Sequence, residues 1–238
     1  MSTTLRPAPA LALATIAYAI AFNVPYANLT RIFEYPGILR EPAGAVMTLF
    51  AERGAELILT WHGFALAGLL LVPFAVALSI TPMRLAQRPA LAIGAAMAGA
   101  LAGLAQALGL WRWVFVVPDL ARSYLDPATS EASRAAAEQA FTVLNLYGGV
   151  AIGEHMGQLL TALFVVLLGL LQWGEDRRIT ALIGLITAAA IALGTTEGLA
   201  IALGQSGELF SLFTIVGFLG LTVWLIATGV TLLRPARA

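Results

Sequence analysis

Six stretches of this chain are apolar over lengths that decide its fold class. A helix rises about 1.5 Å per residue, so about 20 apolar residues cross the roughly 30 Å hydrocarbon core of a bilayer. Hydrophobic residues make up 60% of the 238 residues and charged residues only 11%, whereas about 25% charged residues is usual in a soluble domain. The alternation of a membrane barrel is not seen. The sequence therefore predicts an all-α polytopic membrane protein.

We predict six transmembrane helices packed as one bundle, forming a single membrane domain over residues 1–238. Their approximate bounds are 9–29, 55–80, 89–117, 143–173, 179–204 and 208–232. The first span follows Arg6, as the apolar region of a signal peptide would. We expect it to be retained, because no polar segment with a cleavage site follows it.

The distribution of arginine predicts the orientation, because the chain contains no lysine. Seven arginines and two acidic residues lie in the termini and in the loops 81–90 and 173–179. The other side holds six arginines and eleven acidic residues. Since loops rich in positive charge stay in the cytoplasm, we expect both termini to be cytoplasmic. We expect a multi-pass protein of the cytoplasmic membrane.

Two long loops on the outer side carry helix signals. The segment AGAVMTLFAERG places apolar side chains at helical spacing and predicts a short interfacial helix that ends near Gly54. Asp126 followed by Pro127 is a helix-start signal, and it predicts a second helix that runs toward the fourth span. We expect both loops to cap the outer face of the bundle.

Polar side chains from five spans fall at one depth when about 20 residues are counted outward from the cytoplasmic end of each span. This polar layer contains Trp61, His62, Trp111, Arg112, Trp113, Glu154, His155, Glu197 and Glu208. Interfacial aromatic belts explain the tryptophans and Tyr147 without any site. Glu154 and Glu197 have apolar neighbours in the sequence, and charged groups inside a bundle are usually paired or functional.

The segment LNLYGGVAIGEHMGQLL combines this polar layer with regularly spaced glycines. Gly149, Gly153 and Gly157 recur every fourth residue and predict a face on which another helix packs closely. Glu154 and Gln158 form the adjacent stripe, one turn apart. The same pattern marks packing faces at Gly99, Gly103, Gly194 and Gly198.

Two interpretations of the polar layer stay open at this point. In the structural one, Arg112 pairs with Glu154 or Glu197 and fixes the bundle. In the functional one, the layer binds haem b, a transition metal or a small ligand, and the candidate ligating residues are His62, His155, Glu154 and Glu197. The candidate residues around that site are Arg112, Gln158, Glu56 and Tyr147. No local HxxxH or ExxH spacing accompanies the histidines.

The leading hypothesis is therefore a membrane protein with an outward-facing polar pocket that binds a ligand or cofactor. The alternatives are a non-enzymatic structural or accessory subunit and a membrane enzyme acting on a lipid-soluble substrate. The nearly apolar inner halves of the spans argue against a transport path. The expected partners are the lipid bilayer and another membrane protein or a second copy of the chain. Without a basic patch, nucleic-acid binding has no support.

Three segments, IFEYPGILREP, LAQALGLWRWVFVVPDLA and LNLYGGVAIGEHMGQLLTALF, together resemble the bacterial membrane proteins grouped as domain-of-unknown-function family 4386. The resemblance covers most of the chain and is strongest in the third segment. It implies a bacterial membrane protein of six spans or a similar number, in which these three segments belong together. It implies no activity, cofactor or partner.

Overall fold

The computed structural model describes residues 8–233, which are mostly helical and contain no strand. Six helical stretches among them are long and apolar enough to cross a membrane. Their bounds are Pro9–Phe33, Ala43–Ser79, Pro89–Leu125, Glu131–Gly174, Arg178–Ala202 and Glu208–Leu232. The predicted fold class, an all-α membrane protein with six spans, is confirmed.

Ten α-helices lie in the described part of the chain, nine of them within these six stretches, and we number them in chain order. They are α1 (Pro9–Phe33), α2 (Ala43–Ser79), α3 (Pro82–Gln87), α4 (Pro89–Phe115), α5 (Val117–Leu125), α6 (Glu131–Leu144), α7 (Gly157–Gly174), α8 (Arg178–Gly194), α9 (Thr196–Ala202) and α10 (Glu208–Leu232). A 3₁₀ helix, Gly37–Arg40, follows α1. A π-helical segment, Asn145–Met156, joins α6 to α7.

The even number of spans brings the beginning of α1 and the end of α10 to the same end of the bundle. There the Ala8 N–H donates a hydrogen bond of 3.0 Å to the Leu232 carbonyl. We call this the terminal end and the opposite one the distal end, which carries the loops 34–42, 126–130 and 203–207. That the terminal end is cytoplasmic stays a prediction. Three of the seven arginines on which this prediction rests lie outside the described residues, namely Arg6, Arg234 and Arg237.

Helix α2 changes direction at Gly54, whose φ of 54° and ψ of −128° are not helical. Glycine adopts this positive φ without the steric penalty of a Cβ atom. The preceding arm of α2 packs Val46, Met47 and Phe50 into the protein. A helical arm therefore lies where the sequence predicts a short helix ending near Gly54, but it is continuous with the second span.

Helix α6 begins at Glu131, and the predicted start at Asp126 and Pro127 is wrong. The Asp126 carboxylate instead accepts a 2.8 Å hydrogen bond from the Ala128 N–H, which forms a turn. The helix is capped by Ser130, whose hydroxyl accepts the N–H of a residue in the first turn. A side chain that closes its own turn is not available as a helix cap.

Two clusters of buried apolar residues stabilise the bundle, one in its terminal half and one in its distal half. In the distal cluster the indole rings of Trp61 and Trp113 stack, with centroids 5.0 Å apart and planes 7° from parallel. Both side chains are fully buried. The interpretation of these two tryptophans as a belt at the membrane surface is therefore wrong, because a belt side chain lies at the lipid headgroups.

Candidate functional site

A cavity of about 320 Å³ lies in the distal half of the bundle, between α1, α2, α4, the π-helical segment, α7, α9, α10 and the loop 34–42. Its volume is at the lower end of the roughly 300–1,000 Å³ that is typical of small-molecule sites. Its aromatic lining includes Phe22, Tyr35, Trp61, Phe64, Trp113 and Phe218. The charged side chains of the lining are Arg40, Arg112, Glu154 and Glu197.

Arg40 joins two helices across the distal side of the cavity. Its Nη2 lies 2.7 Å from Oε2 of Glu154 in the π-helical segment. The same nitrogen lies 3.0 Å from Oε1 of Glu197 in α9, and Nε donates to that oxygen at 3.2 Å. The side chains of Arg40, Glu154 and Glu197 are 33%, 26% and 16% exposed. A single loop arginine, Arg40, therefore forms ion pairs with both carboxylates.

The loop sequence explains why Arg40 reaches this position. Pro36 and Pro42 fix their own φ angles and prevent a regular helix across the loop. Between them, Ile38 and Leu39 are buried and anchor the 3₁₀ turn in the distal cluster. The next side chain, that of Arg40, is thereby directed to the two glutamates.

The predicted pairing of Arg112 with Glu154 or Glu197 is wrong, because Arg40 takes that role. Arg40 is not among the site residues predicted from the sequence, although its segment IFEYPGILREP contributes to the family resemblance. The available signal was an arginine between two prolines, close to the first span.

Arg112 is only 8% exposed and lies on the cavity wall. Its guanidinium donates to the Gly109 carbonyl and, at 3.0 Å, to Oδ1 of Asn145. Its central carbon lies 5.0 Å from the centroid of the Trp113 ring. Within residues 8–233, no carboxylate lies within 4.0 Å of its nitrogens. A guanidinium has five N–H donors, so Arg112 keeps hydrogen-bonding capacity for a ligand.

Glycine makes room for Arg112 in the π-helical segment. A Cβ atom at Gly149 would lie 2.5 Å from Nη2 of Arg112, far inside van der Waals contact. A Cβ atom at Gly109 of α4 would lie 2.7 Å from the Cα atom of Gly153. The other glycines predicted for helix packing also lie against neighbouring helices: Gly99, Gly103, Gly157, Gly194 and Gly198.

The backbone of this segment is wider than an α-helix, because N–H groups reach carbonyls five residues back, as from Gly157 to Ile152. Such π-helical segments are rare and occur frequently at functional sites. Glu154 and Gln158, the stripe predicted beside the glycines, both line the cavity.

Three buried polar atoms of the lining residues have no hydrogen-bond partner in the described part of the chain. They are Nε1 of Trp61, Nε1 of Trp113 and Oε1 of Gln158. Leaving a buried polar group unsatisfied costs about 1–3 kcal/mol, and these three atoms have almost no accessible surface, so they add to the cost of building the wall and do not face the space of the cavity.

The charges around the loop also act on its own titratable groups. Burial raises the pKa of the Tyr35 phenol, and the negative charge of Glu154 raises it further. Burial alone would lower the pKa of Arg40, but its contacts with Glu154 and Glu197 outweigh this and raise it. At neutral pH the loop therefore presents an uncharged hydroxyl and a charged guanidinium.

The two histidines, His62 and His155, lie outside the lining of the cavity. His62 is partly buried, and its Nδ1 has no hydrogen-bond partner among the described residues. Nδ1 of His155 lies 2.9 Å from the Thr195 carbonyl oxygen. Neither histidine lines the cavity. Within residues 8–233, no three His, Asp or Glu side chains form a group that could hold a metal. The haem or metal role of the histidines stays a prediction.

Two further candidate residues lie away from the cavity. Glu56 forms a 3.0 Å ion pair with Arg31, and both side chains are more than half exposed. Tyr147 is 69% exposed. The structure thus brings four of the predicted site residues to the cavity, namely Arg112, Glu154, Gln158 and Glu197.

The chain was compared with known families and proteins. The sequence profile described as domain of unknown function (DUF4386) matches residues 10–229, which include both the loop with Arg40 and the π-helical segment. No curated protein and no solved structure matches the chain. Since the match spans nearly the whole sequence, this chain belongs to the DUF4386 family.

Proposed function

We propose that this protein binds a small lipid-soluble molecule in the distal cavity. The observation that carries the proposal is Arg112, a buried cation with no carboxylate neighbour within 4.0 Å among the described residues, on the wall of a largely aromatic cavity. Small-molecule sites combine an apolar lining with a few polar groups in this way.

A purely structural role would favour a different arrangement of these charges. A buried charge is costly unless it is paired and hydrogen-bonded. Arg40 occupies both nearby carboxylates, and Arg112 donates to neutral oxygens instead. Charged residues retained inside membrane helices commonly mark functional sites, which supports a ligand at Arg112.

We place the protein in the bacterial inner membrane, with the distal end and its cavity on the outer side. The support is the distribution of charge. The terminal end carries Arg84, Arg88, Arg177 and Arg178 against only Glu175 and Asp176, and arginine-rich loops stay in the cytoplasm.

A second candidate function is haem or metal binding by His62 and His155. It is supported by the buried Nδ1 of His62, which has no hydrogen-bond partner within residues 8–233. The contact of His155 Nδ1 with a backbone carbonyl also orients the ring and presents Nε2, as is usual for metal-binding histidines. The visible spectrum and metal content of the purified protein test this candidate. A colourless, metal-free protein, or a Soret band unchanged in His62→Ala and His155→Ala, would exclude it.

Filling the cavity tests the leading proposal. Ile215 of α10 lines the cavity, whereas Leu212, one turn earlier, is 56% exposed and does not. We expect Ile215→Trp to abolish saturable binding of 2-methylnaphthalene to the protein in lipid nanodiscs, and the matched variant Leu212→Trp to retain it. Equal binding by both variants, or no saturable binding by the unmodified chain, would contradict the proposal.

A further inference from the structure

We infer that the ligand of this cavity is a single-chain amphiphile of the bilayer, with a hydroxyl-bearing head at the distal end of the cavity and a hydrocarbon chain that leaves it between α1 and α10. The inference rests on the proposed function and names its ligand class. Three features of the structure carry it: a lateral opening, the position of the charged groups, and the mixture of donors and acceptors in the lining.

Helices α1 and α10 pack against each other in the terminal half of the bundle. A Cβ atom at Gly229 of α10 would lie 2.6 Å from Cγ1 of Ile16 in α1, so the two helices are close there. Nearer the middle of the bundle, Nδ2 of Asn23 donates to Oγ1 of Thr222 at 3.0 Å. Up to this hydrogen bond, the seam between the two helices is closed.

The same two helices turn to different neighbours in the distal half. Nδ2 of Asn28 in α1 donates to Oγ1 of Thr60 in α2 at 2.8 Å, and Thr214 of α10 lies against Gly194 of α8. From Asn23 to the distal end, no hydrogen bond joins α1 to α10 within residues 8–233. The cavity occupies the space between them, because both helices contribute to its lining.

The exposure of Leu219 indicates that the cavity opens sideways. Leu219 lines the cavity and is at the same time 57% exposed, which a residue of a closed cavity cannot be. It lies near the middle of α10, a helix that begins at Glu208 and ends at Leu232. Because α10 is long enough to cross the hydrocarbon core, an opening at this level faces acyl chains and not water.

The charged groups of the lining lie toward the distal end of the cavity. Arg40 is in the distal loop 34–42, and Arg112 is in the last turn of α4. Nearer the middle of the bundle, the rings of Phe22 and Phe218 have centroids 6.2 Å apart beside the opening. A lipid of the distal leaflet has the same order, with its head at the membrane surface and its chain toward the midplane.

The lining offers donors and acceptors together. Arg112 has N–H groups beyond its two bonds. Four oxygens of lining residues have no hydrogen-bond partner in the described part of the chain: Oε1 of Glu154, Oε2 of Glu197, Oδ1 of Asn23 and Oε1 of Gln106. A carbonyl oxygen only accepts and an ammonium group only donates, whereas a hydroxyl does both. A hydroxyl head therefore complements this lining.

Three compounds with chains of similar length separate the head from the chain. We propose competition by hexadecan-1-ol, hexadecan-2-one and hexadecane against 2-methylnaphthalene bound to the full chain in phosphatidylcholine nanodiscs, with empty nanodiscs to subtract partitioning. We expect hexadecan-1-ol to displace 2-methylnaphthalene at a mole fraction about tenfold lower than either other compound, as one well-made buried hydrogen bond allows.

Photolabelling with a hexadecan-1-ol that carries a diazirine in the middle of its chain tests the opening. We expect a low mole fraction of unlabelled hexadecan-1-ol to suppress labelling of Leu219 severalfold and to leave labelling of Val223 unchanged. Val223 is the matched control, because it lies one turn away on α10 and is 54% exposed but does not line the cavity.

The outcomes distinguish this inference from the proposed function. Displacement by hexadecan-1-ol no better than by hexadecan-2-one or hexadecane would overturn the hydroxyl head. Equal suppression at Leu219 and Val223, or none at Leu219, would overturn the lateral opening. Saturable binding of 2-methylnaphthalene that none of the three compounds displaces would overturn the inference and leave the proposed function. Absence of both saturable binding and suppressible labelling would overturn both.

Discussion

Arg40 and Glu154 are 114 residues apart in the sequence, yet Nη2 of Arg40 lies 2.7 Å from Oε2 of Glu154. With the second contact to Glu197, this pair connects the first distal loop to the fourth and fifth spans. Because all three side chains line the cavity, the position of the loop and the shape of the cavity depend on one guanidinium.

We predict that Arg40→Gln releases the loop 34–42. Because these side chains are partly exposed and the solvent screens them, the free energy of unfolding should fall by no more than about 1 kcal/mol. Amide hydrogen exchange in the loop should nevertheless become faster. Arg31→Gln is the matched control, since Arg31 pairs with Glu56 at 3.0 Å on a more exposed surface. Equal exchange in both variants would argue against the anchoring role of Arg40.

A larger effect is expected at the terminal end, where Arg84 and Glu175 form an ion pair. Both side chains are 6% exposed, and Nη2 of Arg84 lies 2.8 Å from Oε2 of Glu175. Glu175→Gln leaves the buried guanidinium without a carboxylate, so unfolding in a denaturing detergent should become easier by about 3–5 kcal/mol. Asp176→Asn, in the exposed pair with Arg178, should change stability by less than about 0.5 kcal/mol. Similar losses in the two variants would contradict this assignment.

The six spans could be predicted from the sequence because the length of an apolar run is a local property. The depth of a residue in the membrane is also local, because it follows from the position of the residue along its own span. Counting residues in this way predicts one level for Arg112, Glu154 and Glu197. The direction in which each side chain points around its helix is not local. The same count predicts that depth for His62 and His155, but neither lines the cavity, because the direction of a side chain depends on how the helices pack.

The sequence carries only a weak signal for the partner of the two glutamates, for a related reason. Arg40 is in a loop, and loop geometry depends on which apolar residues the folded bundle accepts. The burial of Ile38 and Leu39 sets that geometry, and their burial follows from tertiary packing. The π-helical winding near Glu154 likewise has no periodic signal in a segment this short.

The orientation in the membrane can be tested with single cysteine substitutions in the otherwise unchanged chain, because the chain contains no cysteine of its own. Ala128 is exposed in a distal loop, and Ala86 is exposed in α3 at the terminal end. We expect a membrane-impermeant maleimide to label Ala128→Cys in intact spheroplasts and Ala86→Cys only after lysis, because the arginine-rich side stays in the cytoplasm. The reverse labelling pattern would place the cavity on the cytoplasmic side.

The space beside Arg112 yields the sharpest test of the cavity wall, because two adjacent glycines differ there. A Cβ atom at Gly149 would lie 2.5 Å from Arg112 Nη2, whereas one at Gly148 would lie 3.7 Å from Arg112 Cδ, an ordinary contact. Gly149→Ala should therefore displace the guanidinium, and the cost of this shift should offset the gain of up to about 1 kcal/mol that alanine has over glycine in a helix. It should also weaken binding of 2-methylnaphthalene, because the displaced side chain takes space from the cavity.

Gly148→Ala changes the same backbone by the same methyl group and serves as the control. Alanine favours a helix over glycine by up to about 1 kcal/mol, so this variant should be as stable as the unmodified chain or more so. Its affinity for 2-methylnaphthalene should be unchanged. If Gly149→Ala binds 2-methylnaphthalene as well as Gly148→Ala does, the position of Arg112 does not control the cavity.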